Sequence, residues 1–384
     1  MKKFLLAGLA LLLLCLFILG AWVASVLSHL PDVSVLKRYR PAAAAEVLDK
    51  DGRVLTEYYD RKFRIWVPIS SLPDIVIHAV TTAEDDTFFE HKGVNYKATW
   101  DALVHDFHKR RFSRGGSTIT QQMIKNVLLT KEKTITRKIR EYVLARRAEE
   151  VLTKRQILQI YLNEVEWGDN VYGIEAASRF YFGKHAAELT VAEAALLAGM
   201  LPNPRYYNPF KRLDKAKDRQ QRVLANMVQA HLISRDEYEA ALQSDIALRN
   251  QEGGSTGAAP GQAKDRPCYQ LALEQILAEM FGEEKLYRGG LTIRTSLDKG
   301  LQEELSGLDA AYPASQAIQE VTIITQSDHV RALVCSDVGE DAVREKINAP
   351  FFAPFEYGVK RASLDSITRE QLIQSAPSGT REPT

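Results

Sequence analysis

Three acidic side chains, Glu84, Asp85 and Asp86, precede Phe88 and Phe89 in the run AEDDTFFEHKG, from Ala83 to Gly93. Crowded carboxylates and low-dielectric aromatic walls both push a carboxyl pKa upward, towards that of a usable base. The run GGSTITQQMIKN, from Gly115 to Asn126, follows. Its glycines permit close backbone approach, and Ser117, Thr118 and Thr120 offer hydroxyls. Gln121 and Lys125 stand four apart on one face of an amide-rich helix that also carries Gln122 and Asn126. Arg137, Lys138 and Glu141, three and four apart, form a third group on one helical face. A carboxylate, amide donors and cations suit activation of a sugar hydroxyl beside a phosphate leaving group, which needs positive charge or donors rather than an acid alone. The second run is not a P-loop, because no Gly-Lys-Ser/Thr follows its glycines, so generic nucleotide binding is unsupported. Each group also has a plain structural reading: a solvated helix start, a Gly-Gly turn before an amphipathic helix, and surface ion pairs.

These residues must be positioned by a chain of 384 residues, long enough for two soluble modules. Its formal net charge of +1 gives no bulk field towards nucleic acid, so phosphate binding must be local. From Phe4 to Leu27 there is no charged residue, a stretch longer than the ~20 needed to cross a bilayer. It also exceeds the roughly 7 to 15 apolar residues of a signal h-region, and so reads as a retained membrane span. Lys2 and Lys3 place its start in the cytoplasm by the positive-inside rule; Lys37, Arg38 and Arg40 oppose this, but a large trailing domain translocates with little regard to such charges. Cys15 sits inside the span, while Cys268 and Cys335 would face an oxidising compartment, where a disulfide and free thiols are both open.

Residues 29–69 read as a connecting strand region, with a hairpin at Asp51-Gly52. Residues 70–249 are overwhelmingly helical in period, with capping-box spacing at Thr153/Gln156 and Thr190/Glu193. Residues 250–267 have the Gly- and Pro-rich composition of a linker. Residues 268–384 form a small mixed α/β region, with a helix near Leu271–Met280 and strands in LTIRTSLD, VTIITQ and VRALVC.

The motifs resemble, in order, those of the peptidoglycan glycosyltransferases, glycosyltransferase family 51. EDDTFFEHKG resembles motif one, GGSTITQQMIKN motif two, and RKIRE motif three; ILQIYLNEVEWG with VYGIEAASRFYFGK resembles motif four, and EAALLAGMLPNPRYYNP motif five. The resemblance implies a mainly α, lysozyme-like domain behind a single N-terminal transmembrane helix, at the periplasmic or extracytoplasmic face of the inner (cytoplasmic) membrane. It implies polymerisation of lipid II onto a growing glycan strand, with inversion and release of polyprenyl diphosphate, and other cell-wall synthesis proteins as partners. Glu84 would be the catalytic base and Glu141 a second essential carboxylate. Gln121, Lys125, Arg137 and Lys138 would contact the donor or its diphosphate, with Ser117, Gln122 and Asn126 also in the substrate site. Arg114 and Asn163 would mainly shape the cleft, and His91 would brace the first motif's loop. No metal site is expected on the protein itself; Mg2+ or Mn2+ would travel with the substrate diphosphate.

GGLTIRTSLDKGLQEEL, from Gly289 to Leu305, resembles the entrance to the transpeptidase domain of bifunctional relatives, but the remainder is too short for that domain. Its best match to the nucleophile motif, PFFAPFEY, puts Pro350 and Ala353 at the serine and lysine positions, which leaves acylation no route. Ser296 to Lys299 and Ser34 to Lys37 spell Ser-x-x-Lys by chance, so the tail is not expected to bind penicillin. Two other functions answer to part of the pattern: a lysozyme-like glycan-cleaving enzyme, and a non-catalytic scaffold for wall synthesis.

Overall fold

The computed structural model describes residues 2–28, 30–100, 116–130, 134–249, 268–303, 321–326 and 329–335. Arg114, Gly115, the linker 250–267 and the PFFAPFEY segment lie outside the described residues, as do the side chains of Cys268 and Cys335. The chain forms two compact units, residues 1–41 with 67–248, and residues 42–66 with 249–384.

The first unit is helical. Helix α1, Lys2–Ser28, carries no charge after Lys3 and is long and apolar enough to cross a membrane; at 1.5 Å per residue it extends roughly 40 Å. The helices that follow are α2 (Asp74–Glu84), α3 (Ile119–Leu128), α4 (Ile135–Val151), α5 (Lys154–Glu164), α6 (Ile174–Phe182), α7 (Val191–Met200), α8 (Leu213–Gln229) and α9 (Arg235–Gln243). The starts of α3, α4, α5, α7 and α9 are set by hydroxyl caps, Thr118, Thr134, Thr153, Thr190 and Ser234, that satisfy first-turn N–H groups, each worth about 0.5–2 kcal/mol. Capping boxes form at Thr153/Gln156 and Thr190/Glu193, as the spacing predicts, and also at Thr118/Gln121 and Ser234/Glu237. Helix α6 ends where Gly183 turns left-handed.

Helix α7 is buried from Ala192 to Met200, as its almost wholly apolar sequence requires, and its one charged residue, Glu193, is spent on the cap. Helices α2 and α8 pack against it, while α3 packs against α4 and α5. Ile119, Met123, Leu144, Ile157 and Tyr161 fill the space among the latter three, each fully buried. Helix α5 also holds the chain that enters α2. The Asn163 amide accepts from the Val67 N–H and donates to the Val67 carbonyl, both at 2.9 Å. One turn earlier, Gln159 accepts from the Ile69 N–H and donates to the same carbonyl, both at 2.6 Å.

In the second unit, strands β1 (Ala45–Leu48) and β2 (Val54–Tyr58) form an antiparallel hairpin, Ala45 opposite Tyr58 and Val47 opposite Thr56. Gly52 makes the turn at φ +84°, as the Asp-Gly signal predicts. Buried Asp49 accepts from the Arg53 backbone N–H at 2.8 Å and the Asp51 N–H at 2.9 Å. Helices α10 (Cys268–Phe281) and α11 (Glu283–Arg288) lead to β3 (Thr292–Arg294), which pairs parallel with β1 to give the order β2-β1-β3. Residues 42–66 are thus more than a connection: Ala45, Val47, Leu55 and Tyr58 share a core with Leu273, Leu277, Leu286, Ile293 and Leu297. Strands β4 (Val321–Gln326) and β5 (His329–Cys335) form a separate antiparallel pair. Ser296 is buried and precedes any helix, while the Lys299 ammonium donates to the Val54 carbonyl at 3.0 Å, so this Ser-x-x-Lys has no nucleophile geometry.

Candidate active site

Glu84 is the last residue of α2, and the backbone turns at Asp85, whose N–H caps the Thr81 carbonyl. Asp85 is buried and its carboxylate is fully engaged: it accepts from His91 Nε2 at 2.9 and 3.0 Å and from the Ile119 N–H of α3 at 3.0 Å. His91 Nδ1 accepts from the Gly93 N–H at 3.1 Å, which leaves the ring proton on Nε2, facing Asp85. His91 therefore braces the loop, as expected. Gly93 lies on α4 at φ +87°, so close that an added Cβ would sit 2.5 Å from the Ala145 carbonyl oxygen. Lys154 closes the same loop, donating to the His91 carbonyl at 2.6 Å and to Glu149 at 2.8 Å, with its ammonium 4.4 Å from the Phe88 ring centre. Phe88 is buried beneath this loop, whereas Phe89 is exposed, so the two rings do not form one wall.

Glu84 itself remains available. The Gln122 amide donates to its Oε2 at 2.7 Å, and the Tyr161 hydroxyl donates to Gln122 Oε1 at 3.3 Å. Burial raises the Glu84 pKa above the ordinary carboxylate value; Gln122, Arg219 and Lys125 pull it back, and Asp85 adds to the rise. Desolvation outweighs the like-charge repulsion that the acidic run suggests, and Asp86 is exposed.

The cationic group lies at the start of α4 and on α3. Arg137 donates to Glu141 Oε1, and Lys138 donates to Glu141 Oε2 at 2.9 Å and to Ser117 Oγ at 2.7 Å. Glu141 is buried, and Arg137 Nε is buried without a hydrogen-bond partner among the described residues. Lys125, on α3, lies within electrostatic reach of both this group and Glu84: burial lowers its pKa, Glu141 and Glu84 attract its charge, and Arg137 and Lys138 repel it. Three cations thus share one buried carboxylate, leaving local positive charge for an anionic group.

Not every expected contact meets Glu84 or the cationic group. Gln121 is fully buried, and its Oε1 accepts from the Thr118 N–H at 2.9 Å, closing the cap of α3. Its spacing predicts a donor-binding face shared with Lys125; the side chain is turned back to the cap instead, with Nε2 unpartnered among the described residues. Asn126 is exposed at the far end of α3, and Asn163 holds Val67 rather than Glu84. Two residues to which the sequence assigns no site role, Tyr161 within the fourth motif and Arg219 outside all five, reach the surroundings of Glu84, the first through Gln122 and the second through its charge. Arg219 is steered by the Gly199 carbonyl at 3.4 Å and by the Tyr207 ring at 5.5 Å. No local spacing connects either residue with Glu84.

Residues 51–228 match the family model described as Transglycosylase. Penicillin-binding protein 1A of Rickettsia prowazekii is 36% identical over 288 residues, covering 74% of this chain and 36% of that protein. Penicillin-binding protein 1A of Aquifex aeolicus is 34% identical over 304 residues, covering 79% of this chain and 40% of that protein. The chain thus spans well under half the length of these relatives. A crystal structure of penicillin-binding protein 1A from Haemophilus influenzae aligns at 22% identity with a TM-score of 0.36, covering 76% of this chain and 33% of that one. Together with the carboxylate and cation groups on α2, α3 and α4, the family match and the relatives show that residues 51–228 belong to the transglycosylase family, as a peptidoglycan glycosyltransferase domain of the penicillin-binding-protein type.

Proposed function

We propose that this protein polymerises lipid II into β-1,4-linked glycan strands. The observation that carries this reading is Glu84, held by the Gln122 amide, beside the Arg137–Lys138–Glu141 ion-pair group, with the Lys125 charge in electrostatic reach of both carboxylates. Glu84 takes the proton of the acceptor sugar's 4-hydroxyl, and the oxygen forms a bond to the anomeric carbon of the growing strand. The bond from that carbon to the diphosphate breaks on the opposite face, so the configuration inverts. Lys125, Arg137 and Lys138 receive the charge on the departing polyprenyl diphosphate. Glu141 holds Arg137 and Lys138 in place, and Ser117 steadies the Lys138 ammonium. Any Mg2+ or Mn2+ required would arrive on the diphosphate. Helix α1 supports anchorage in the inner membrane, with the catalytic unit on the periplasmic or extracytoplasmic face and other wall-building proteins within reach.

The test is polymerisation of labelled lipid II by detergent-solubilised full-length protein. A positioned general base contributes about 10²- to 10⁴-fold, so Glu84→Gln loses that much rate while remaining folded. Lys138→Ala raises KM for the donor. Wild-type rates from Glu84→Gln would sink the assignment of the base, and no polymer from folded wild type would sink the function.

A further inference from the structure

The Glu84–Gln122–Tyr161 chain raises a question that the proposed reaction leaves open: what keeps the amide that donates to the base correctly turned while the base changes charge? The described hydrogen bonds of the Gln122 side chain are two, Nε2 to Glu84 Oε2 at 2.7 Å and Oε1 from the Tyr161 hydroxyl at 3.3 Å. The amide is a two-ended group, a donor at one end and an acceptor at the other. With Glu84 ionised, only the NH2 end can face it. Once Glu84 holds the acceptor's proton, the carboxyl becomes a donor and the oxygen end fits better.

A partner that can only donate, or only accept, would favour one of these orientations and oppose the other. The tyrosine hydroxyl does both. It donates to Oε1 in the first orientation and can accept from the NH2 in the second, after a half-turn of the amide and rotation of its own O–H. No proton leaves the phenol in this exchange, and none passes between residues 84 and 161. The surroundings of Tyr161 suit it to this role. Its ring is fully buried on α5, as are the side chains of Ile119, Met123 and Ile157, and burial, with Glu84 and Asp85 nearby, holds the phenol protonated. The helix is itself fixed two residues to either side by the Gln159 and Asn163 clasps on Val67.

We propose that Tyr161 is a positioning residue for the transfer reaction, which acts through Gln122 to keep the amide's polarity matched to the protonation state of Glu84. The proposal rests on Glu84 being the base. The charged and titratable groups acting on Glu84 besides this chain are Asp85 from its own turn, Lys125 from α3 and Arg219 from α8.

Tyr161→Phe keeps the ring and removes only the hydroxyl. In the full-length protein, the rate of lipid II polymerisation would be followed from pH 5 to 9 together with kcat and KM. We expect the acidic limb of kcat to move to higher pH by about one unit, because ionised Glu84 loses an oriented donor, with KM unchanged within about twofold. Gln122→Met, which keeps the length of the side chain without its polar ends, should move the limb equally, and the double variant no further than either single one. If Tyr161→Phe is too unstable at the standard temperature, its pH profile is taken beside wild type at a lower temperature at which it stays folded, because Gln122→Met alone removes the donor to Glu84 whether or not Tyr161 orients it. A wild-type pH profile in the assayed variant, additive effects in the double variant, or a pH-independent loss matched by a lower melting temperature would overturn the proposal. These results differ from failure of the base assignment, in which Glu84→Gln would itself polymerise lipid II.

Discussion

Replacing Gly93 with alanine tests whether the first motif's loop is held by direct backbone contact with α4. At φ +87°, an L residue pays roughly 1–2 kcal/mol for the left-handed conformation alone. The new Cβ would also stand 2.5 Å from the Ala145 carbonyl oxygen and 2.8 Å from its carbon. Those atoms belong to a helix backbone and cannot swing aside, so overpacking adds about 1–3 kcal/mol. The total is about 2–5 kcal/mol. Gly52 provides the comparison: it has nearly the same φ, +84°, but its added Cβ would find nothing nearer than the tip of Arg294 at 3.9 Å. Gly52→Ala should therefore cost only the conformational part. Urea unfolding followed by tryptophan fluorescence would measure both, with each substitution compared in the transition of its own unit. If Gly93→Ala costs no more than Gly52→Ala, the close approach to Ala145 is not what seats this loop.

Glu84→Gln should raise the melting temperature at pH 8. The folded carboxyl has a pKa above its unfolded value, so the folded state holds the proton more tightly; the stability this gives is present at low pH and lost as pH rises through the folded pKa. The neutral amide avoids that loss, so the gain should shrink towards pH 4, and a gain independent of pH would refute the desolvation argument. Gln121→Ala should destabilise the first unit by about 1 kcal/mol through loss of the α3 cap, with KM for lipid II unchanged, and Gln121→Glu should restore the stability. A large rise in KM without loss of stability would return Gln121 to the substrate face.

The sequence carried much of this architecture in short-range signals. The Asp51-Gly52 turn, the caps at Thr153 and Thr190 and the spacing of Arg137, Lys138 and Glu141 all depend on residues within a turn or two of each other. Gln121 shows where such signals compete: Thr118-x-x-Gln121 is as good a capping box as the other two, yet its spacing to Lys125 equally suggests a shared polar face. Helical spacing fixes the face from which a side chain starts, and rotamer choice decides where it ends. Tyr161 and Arg219 were illegible for another reason. Each comes to the base on a separate helix, brought there by packing of apolar faces, and nothing in the local sequence of α5 or α8 names the partner. The parallel pairing of β1 with β3 is likewise long-range, so residues 42–66 read as a connection and fold as part of a sheet.

That pairing governs how the protein can be dissected. Cutting after residue 249 to isolate the catalytic helices would keep the β1–β2 hairpin but discard β3, α10 and α11. The β1 backbone groups that now pair with Thr292–Arg294 would become an open edge, and Val47, Leu55 and Tyr58 would lose the surface that covers them. An uncovered apolar sheet face with a free edge is a template for strand addition by another molecule. A fragment ending there should self-associate, whereas one extended through residue 303 retains the third strand and its cover.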